Sequence, residues 1–262
     1  LITSGRFYNE DKITEAELCD GLRTIIHKAD IATKRSTYTT LDPVVYGPEN
    51  YSTGNVFEKY SLNNSITFGY RLNKDDINTD ITKTYYKVAN ETVRSFSTSD
   101  IKTNVDMTKF VTISGPYDSD IELKVSITDN IVQYKEETDL CGGITKEYTF
   151  PIHFYNKVFL TSTSGTISNL NDSTVSSFSS TLVEDKGSFK LTVEPASSTY
   201  NIILCTPTAW GDPDISVGGL TGGFIKLDST IKRSIGSNSV EYNVYKSVVA
   251  GLGKTTIYVE YN

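Results

Sequence analysis

The residues of this chain best placed to do chemistry follow its one tryptophan. Trp210-Gly211-Asp212-Pro213-Asp214 sets two carboxylates beside an indole, with Tyr200 upstream. An aromatic platform next to acids suits a sugar, and glycoside hydrolysis needs only a proton donor and a second carboxylate facing it across the scissile bond. The same spacing fits a Gly-Asp-Pro-Asp turn, in which Asp side chains bond their own backbone. The turn is the preferred reading, because two acids on one turn do not oppose each other. Trp210, Asp212, Asp214 and Tyr200 are therefore candidate binding residues on a loop or rim, and no residue is assigned a catalytic role.

Other reactive side chains are sparse. His27 and His153 have no Cys or carboxylate at ligand spacing, so no zinc site is expected. His27 follows Ile25 and Ile26 near a helix end that favours a cation. His153 lies between Ile152 and Phe154 and points away from both, toward solvent. No G-x-S-x-G elbow presents a serine nucleophile. Gly251-Leu252-Gly253-Lys254-Thr255 echoes the end of a phosphate loop, but it lacks the leading glycine and runs into a strand rather than a helix. Asp118-Ser119-Asp120 and Asp212-Pro213-Asp214 carry oxygens suited to Ca²⁺. Neither continues into the spacing that ends in a bidentate Glu. The reading is of a protein that is no enzyme and needs no metal or cofactor.

Composition narrows the class further. In 262 residues there are 17 Tyr and 11 Phe against one Met and one Trp, a balance that leans to strands. A net charge of -7 with no Lys/Arg cluster speaks against nucleic acid. No secretory leader and no apolar run long enough for a bilayer is present. Cys19, Cys141 and Cys205 are odd in number and far apart, which gives no disulfide framework. Cys205 lies in an apolar strand pattern, where it packs as a small apolar residue. The first residue is Leu1, so either a residue has been processed or the numbering starts inside a larger product.

The elements that must position these residues are mainly β. Thr14 and Glu17 form a capping box. Leu18, Leu22, Ile25, Ile26 and Ala29 then share one helical face, giving one amphipathic helix at about 15–33. Its stripe either packs on the neighbouring sandwich or docks on other copies. Asp42-Pro43 breaks the chain. Strands are expected at 54–60, 65–72, 83–88, 91–97, 110–114, 121–128, 131–136 and 144–150, with turns at Asn63-Asn64, Lys74-Asp75-Asp76, Gly115-Pro116, Asp129-Asn130 and Gly142-Gly143. Ile66, Phe68, Tyr70 and Leu72 alternate, as do Ile121, Leu123, Val125 and Ile127, so each strand has one dry face and one wet face. A second unit opens with 152–160. The Ser/Thr-rich run at 161–180 reads as a surface or contact loop. Strands at 188–193, 200–207, 239–247 and 254–261 follow. Tyr200 to Pro207 reads as buried on both faces, and Trp210 as a plug closing one end. The fold class is two tandem antiparallel β-sandwich modules, at 46–150 and 151–262, preceded by an arm and amphipathic helix at 1–45 that serves attachment and oligomerisation.

A family resemblance rests on particular residues. The order Tyr200-x-Ile202, Pro207-x-x-Trp210-Gly211, Tyr242-Asn243-Val244-Tyr245 and a Leu252-Gly253 turn into a closing strand resembles the C-terminal module of many tailed-bacteriophage virion proteins. Those are tail, baseplate, neck and fibre subunits that end in a β-sandwich. Phe150-Pro151-Ile152-His153-Phe154-Tyr155 resembles the strand that opens that module. Thr53-Gly54-Asn55-Val56-Phe57-Glu58-Lys59, running into Ile66-Thr67-Phe68-Gly69-Tyr70, resembles the module that often precedes it. The likeness runs from Tyr51 to Tyr261, and Gly222-Gly223-Phe224 departs from it where a longer polar turn is expected. It implies a structural component of the virion that assembles as a homotrimer or ring through Leu18, Leu22, Ile25 and Ile26, with other virion proteins and a host-surface glycan as further partners. The alternatives are a glycan-binding adhesin-type module and a carbohydrate-active enzyme.

Overall fold

A computed structural model describes residue 25 and residues 42–73, 81–129, 133–134, 140–141, 145–164 and 170–262. The expected helix, with Leu18, Leu22 and Ile26, lies outside the described residues; Ile25 is described and is 48 % exposed. The chain lays down β1 (Asp42–Tyr46), β2 (Val56–Glu58), β3 (Asn64–Asn73), β4 (Ile81–Val88), β5 (Arg94–Ser95), β6 (Asp106–Ile113) and β7 (Ile121–Asp129). The short pair β8 (Gln133–Tyr134) and β9 (Leu140–Cys141) precedes the long β10 (Thr145–Thr163). There follow α1 (Asp172–Ser176), β11 (Ser179–Val183), β12 (Phe189–Val193), β13 (Asn201–Pro207), β14 (Asp214–Val217), β15 (Leu220–Thr221), β16 (Phe224–Lys226), β17 (Ile231–Ile235), β18 (Asn238–Ser247) and β19 (Thr255–Glu260). The protein is mainly β, in several antiparallel sheets.

In the first half, β3 sits between β1 and β6. Its alternating residues Ile66, Phe68, Tyr70 and Leu72 are fully buried. They meet Leu123, Val125 and Ile127 of β7 and Tyr86 and Val88 of β4 in one apolar cluster. Phe96 completes it, ringed by Phe68, Tyr70 and Tyr86 at 5.0–6.0 Å between centroids. Two expected strands are shorter than the apolar pattern implied. The one at 54–60 shrinks to β2, because Gly54 and Tyr60 both take φ 63° and bend the chain at its ends. The one at 91–97 shrinks to β5.

The second half has a central sheet in which β13 lies between β10 and β18. One face is covered by the four-stranded sheet β12-β19-β14-β15, with Ile202, Leu204, Tyr245, Ile257 and Val259 between them. The other face carries Ile203, Cys205, Tyr242 and Val244 under Val175 of α1 and Ile231 of β17. Cover on both faces is why β13 is continuously apolar rather than alternating. Burial pushes the Cys205 thiol up to about 12, so it stays protonated and inert. The run at 161–180 is not simply a loop: β10 continues to Thr163, α1 follows, and β11 begins at Ser179. Asn171 caps α1 by accepting from the Thr174 N–H at 3.0 Å, and the helix buries Val175.

The main correction concerns the strands on either side of Pro151. The stretches 144–150 and 152–160 were expected as separate strands; they are the single strand β10. Proline is tolerated there because Pro151 sits where the strand changes partners. Pairing with β7 ends at Ile152, β2 runs parallel to His153–Tyr155, β11 takes Asn156–Leu160 and β13 takes Phe159–Thr163. The Pro151 carbonyl still accepts from Asn55 Nδ2 at 3.1 Å. One strand therefore feeds three clusters: Ile152 and Phe154 the first, Val158 and Leu160 the second, Phe159 the third.

An ion cluster locks the two halves beside this strand. Glu58 of β2 accepts from both terminal nitrogens of Arg233 in β17 and from Lys157 Nζ, the latter at 2.9 Å. The Glu58 and Arg233 side chains are 11 % and 13 % exposed, and the guanidinium lies over the Phe159 ring. A charge this enclosed is costly once its partner is lost. Glu58→Gln is expected to lower unfolding free energy by about 3 kcal/mol, read from urea denaturation. Glu58→Leu combined with Arg233→Met should recover most of that loss.

Candidate functional site

The acidic turn singled out above is built by the end of β13. Pro207 closes the strand, one helical turn spans Thr208–Trp210, and Gly211 at φ 83° reverses the chain. That glycine conformation throws Trp210 inward and Asp212 outward. Trp210 is 8 % exposed and packs against Phe189 and Tyr261, with centroids 6.4 and 5.7 Å away. Its ring closes the cluster between the central sheet and the four-stranded sheet, so it presents no flat surface to a ligand. As a binding residue Trp210 is corrected to a core residue. Tyr200 is half-buried, with its backbone tied to Ser197 and Gly251, and it does not line the acidic cleft.

Asp212 and Asp214 do share that cleft, a concavity of about 280 Å³ whose wall includes Thr221, Phe224, Lys226 and Tyr245. The Asp212 Oδ1 accepts from Lys226 Nζ at 2.5 Å, from the Tyr245 hydroxyl at 2.9 Å and from Asn243 Nδ2 at 3.3 Å. Asp214 accepts from Asn262 Nδ2 at 2.8 Å. The bond from Lys226 and then that from Tyr245 hold the Asp212 carboxyl below the usual range. Burial, and donation to Asp212, push the Tyr245 phenol above its own. Asp212 is thus ionised at neutral pH, an acceptor for ligand O–H or N–H groups and the wrong state for protonating a leaving group. The two acids also succeed each other along a turn instead of facing one another.

His153 is not merely solvent-facing. Its Nδ1 is 2.6 Å from Asp120 Oδ2, while Asp120 Oδ1 accepts from the Phe154 N–H at 3.0 Å. Burial alone would raise the Asp120 pKa, but these two hydrogen bonds outweigh it and lower the value. The pair pins β10 to the turn before β7. Among the described residues no group of three or more His, Cys, Asp or Glu is placed to hold a metal.

Lys226, Asn243 and Tyr245 are the site residues the sequence reading missed. A signal existed: with Val240, Tyr242 and Val244 on one face of β18, Asn243 and Tyr245 fall on the other. Lys226 carried none, because its approach to Asp212 depends on β16 pairing with β18. Among the described residues, no helix is long and apolar enough to cross a membrane. No protein-family model, no curated protein and no solved structure matches the chain.

Lys226→Ala is expected to move the Asp212 pKa up toward its ordinary value of 3.8, seen as a shifted midpoint in the side-chain carboxyl ¹³C titration. Because the folded pKa is the lowered one, Asp212 stabilises the fold above its unfolded pKa, and that contribution fades as pH falls through the folded value. The variant's deficit in melting temperature should accordingly be present at pH 7 and shrink in acid.

Proposed function

We propose that the chain is a structural component of a tailed-bacteriophage virion, of the tail, neck or fibre apparatus, made of two tandem β-sandwich modules. The observation that carries this reading is β10, which passes through both halves without a linker and gives them a common spine. A part that transmits shape or load needs such rigidity; a part that only displays a domain does not. The residues behind the resemblance support it as well. Ile202, Trp210 and Tyr245 pack in one cluster, with Tyr242 and Val244 in the cluster across the sheet. The mechanism is passive: stiff sheets hold position, and repeated copies turn weak surface contacts into avidity.

Assembly falls to the segment 1–45, through Leu18, Leu22, Ile25 and Ile26, with other copies or other virion proteins as partners. The helical stripe expected at 15–33 would need cover from something. A host-surface glycan is the further partner, and a glycan-binding adhesin-type module is the second reading. The Asp212 cleft favours that second reading, since an ionised acceptor beside a phenol suits a hydroxyl-rich ligand.

Size-exclusion chromatography with light scattering should show the full chain as a trimer or ring. Deleting residues 1–42 should leave the β halves folded, with a cooperative thermal melt, and reduce the protein to a monomer. A full chain that is monomeric at every concentration would sink the assembly reading, whereas a truncated chain that still assembles would sink only the helix's part in it.

A further inference from the structure

The outer face of the three-stranded sheet carries a second concavity, which the acidic turn does not touch. Tyr46 of β1, Gly69 of β3 and Thr108 of β6 stand side by side in register. With Gly69 in the middle, this row has no side chain at its centre. The turn Pro48–Asn50 folds back and lays Tyr51 over that gap, and Thr53 Oγ1 accepts from the Thr67 N–H at 3.0 Å to fasten the loop to β3. A Cβ on Gly69 would overlap the Tyr51 hydroxyl and press on Tyr46 Cδ2 at 3.3 Å. Glycine in mid-strand weakens a sheet, and Gly69 has no positive φ that would require it. Space for the two rings is what the position provides.

The result is a cleft of about 380 Å³ walled by Tyr46, Asn50, Tyr51, Asp106 and Thr108, within the range of about 300–1,000 Å³ usual for small-ligand sites. Tyr46 is 43 % exposed. The Tyr51 phenol is pushed up by burial and by nearby Tyr46 and Asp106, as a ring bedded between them would be. Among the described residues the charges at this cleft are balanced: Asp106 Oδ2 lies 3.3 Å from Arg71 Nη1. That balance disfavours a free cation, which would want an unpaired carboxylate under the aromatic rings. It also disfavours an anion. What remains is a ligand with an apolar face for a phenol ring and hydroxyls for carboxylate, amide and threonine.

We propose that the Tyr46–Tyr51 cleft binds a neutral pyranose, stacking its C–H face on the tyrosines and bonding its hydroxyls to Asp106, Asn50 and Thr108. The site is on the first half of the chain, away from the Asp212 cleft, and the inference does not depend on the virion reading.

Saturation-transfer NMR on the full chain tests it, with maltose, cellobiose and lactose as neutral probes and choline and glucuronate as charged ones. At least one neutral disaccharide should bind at millimolar concentration. Tyr46→Ala and Gly69→Ala should each weaken it about tenfold, the loss expected of an aromatic anchor, with Tyr46→Phe restoring it. Tyr258→Ala removes an exposed tyrosine elsewhere and should change nothing. A thermal melt shows whether Gly69→Ala still folds; Tyr46, half-exposed, keeps the test decisive if it does not. The proposal is overturned if none of the three sugars binds, if choline or glucuronate is preferred, or if Tyr46→Ala binds like the parent. Binding lost in Lys226→Ala but kept in Tyr46→Ala would place the sugar in the other cleft and overturn it equally.

Discussion

Each of the three apolar clusters among the described residues depends on the backbone hydrogen bonds of β10. The strand is 19 residues long, far beyond the usual five or six, and it reaches that length by exchanging partners rather than by extending one sheet. At each exchange its side chains enter a different apolar cluster. Unfolding one half strips donors and acceptors from the strand that the other half also needs. The Glu58 cluster adds the second fastening, since it ties β2 to β17 across the same line. A continuous strand fixes direction along its axis, and an enclosed ion group resists rotation about it. Together they leave the halves little freedom to hinge.

Burial sorts the candidate residues by what they are free to do. The indole that stands out in the sequence is spent on packing against Phe189 and Tyr261. The side chains left at the surface near it are satisfied among themselves, with Asp212 held by an ammonium, a phenol and an amide. Such a cleft is organised but electrostatically quiet. The Tyr46 side of the molecule differs in kind, because there the rings themselves are left partly open and the charges lie at the margin.

How far the chain could be read in advance follows from the range of each interaction. The alternation in β3 and β7 was legible because one wet face and one dry face repeat every second residue. The double burial of β13 was legible for the converse reason, an apolar run with no polar interruption. β10 was misread, since Pro151 looks the same whether a strand stops or changes neighbours, and only distant partners decide. α1 went unseen because a single buried residue, Val175, has no period. Trp210 carries two readings in the sequence, plug and rim residue, because a ring followed by Gly-Asp has the same spelling whether it points in or out. Gly69 and Glu58 gave no local sign at all; their meaning lies in Tyr51 and Arg233.

The partner exchange along β10 also sets the order in which the molecule can be made. Asn55 and Pro151 are 96 residues apart, and translation adds about 5–20 residues per second. For roughly 5–20 seconds after β2 leaves the ribosome, its template does not yet exist, and β7, once made, also has one flank bare until β10 follows. During that interval the nascent first half is a set of open edges rather than a closed body. Neighbouring polypeptides on the same message meet it in that condition, so the vulnerable moment in this protein's life comes before β10 is synthesised.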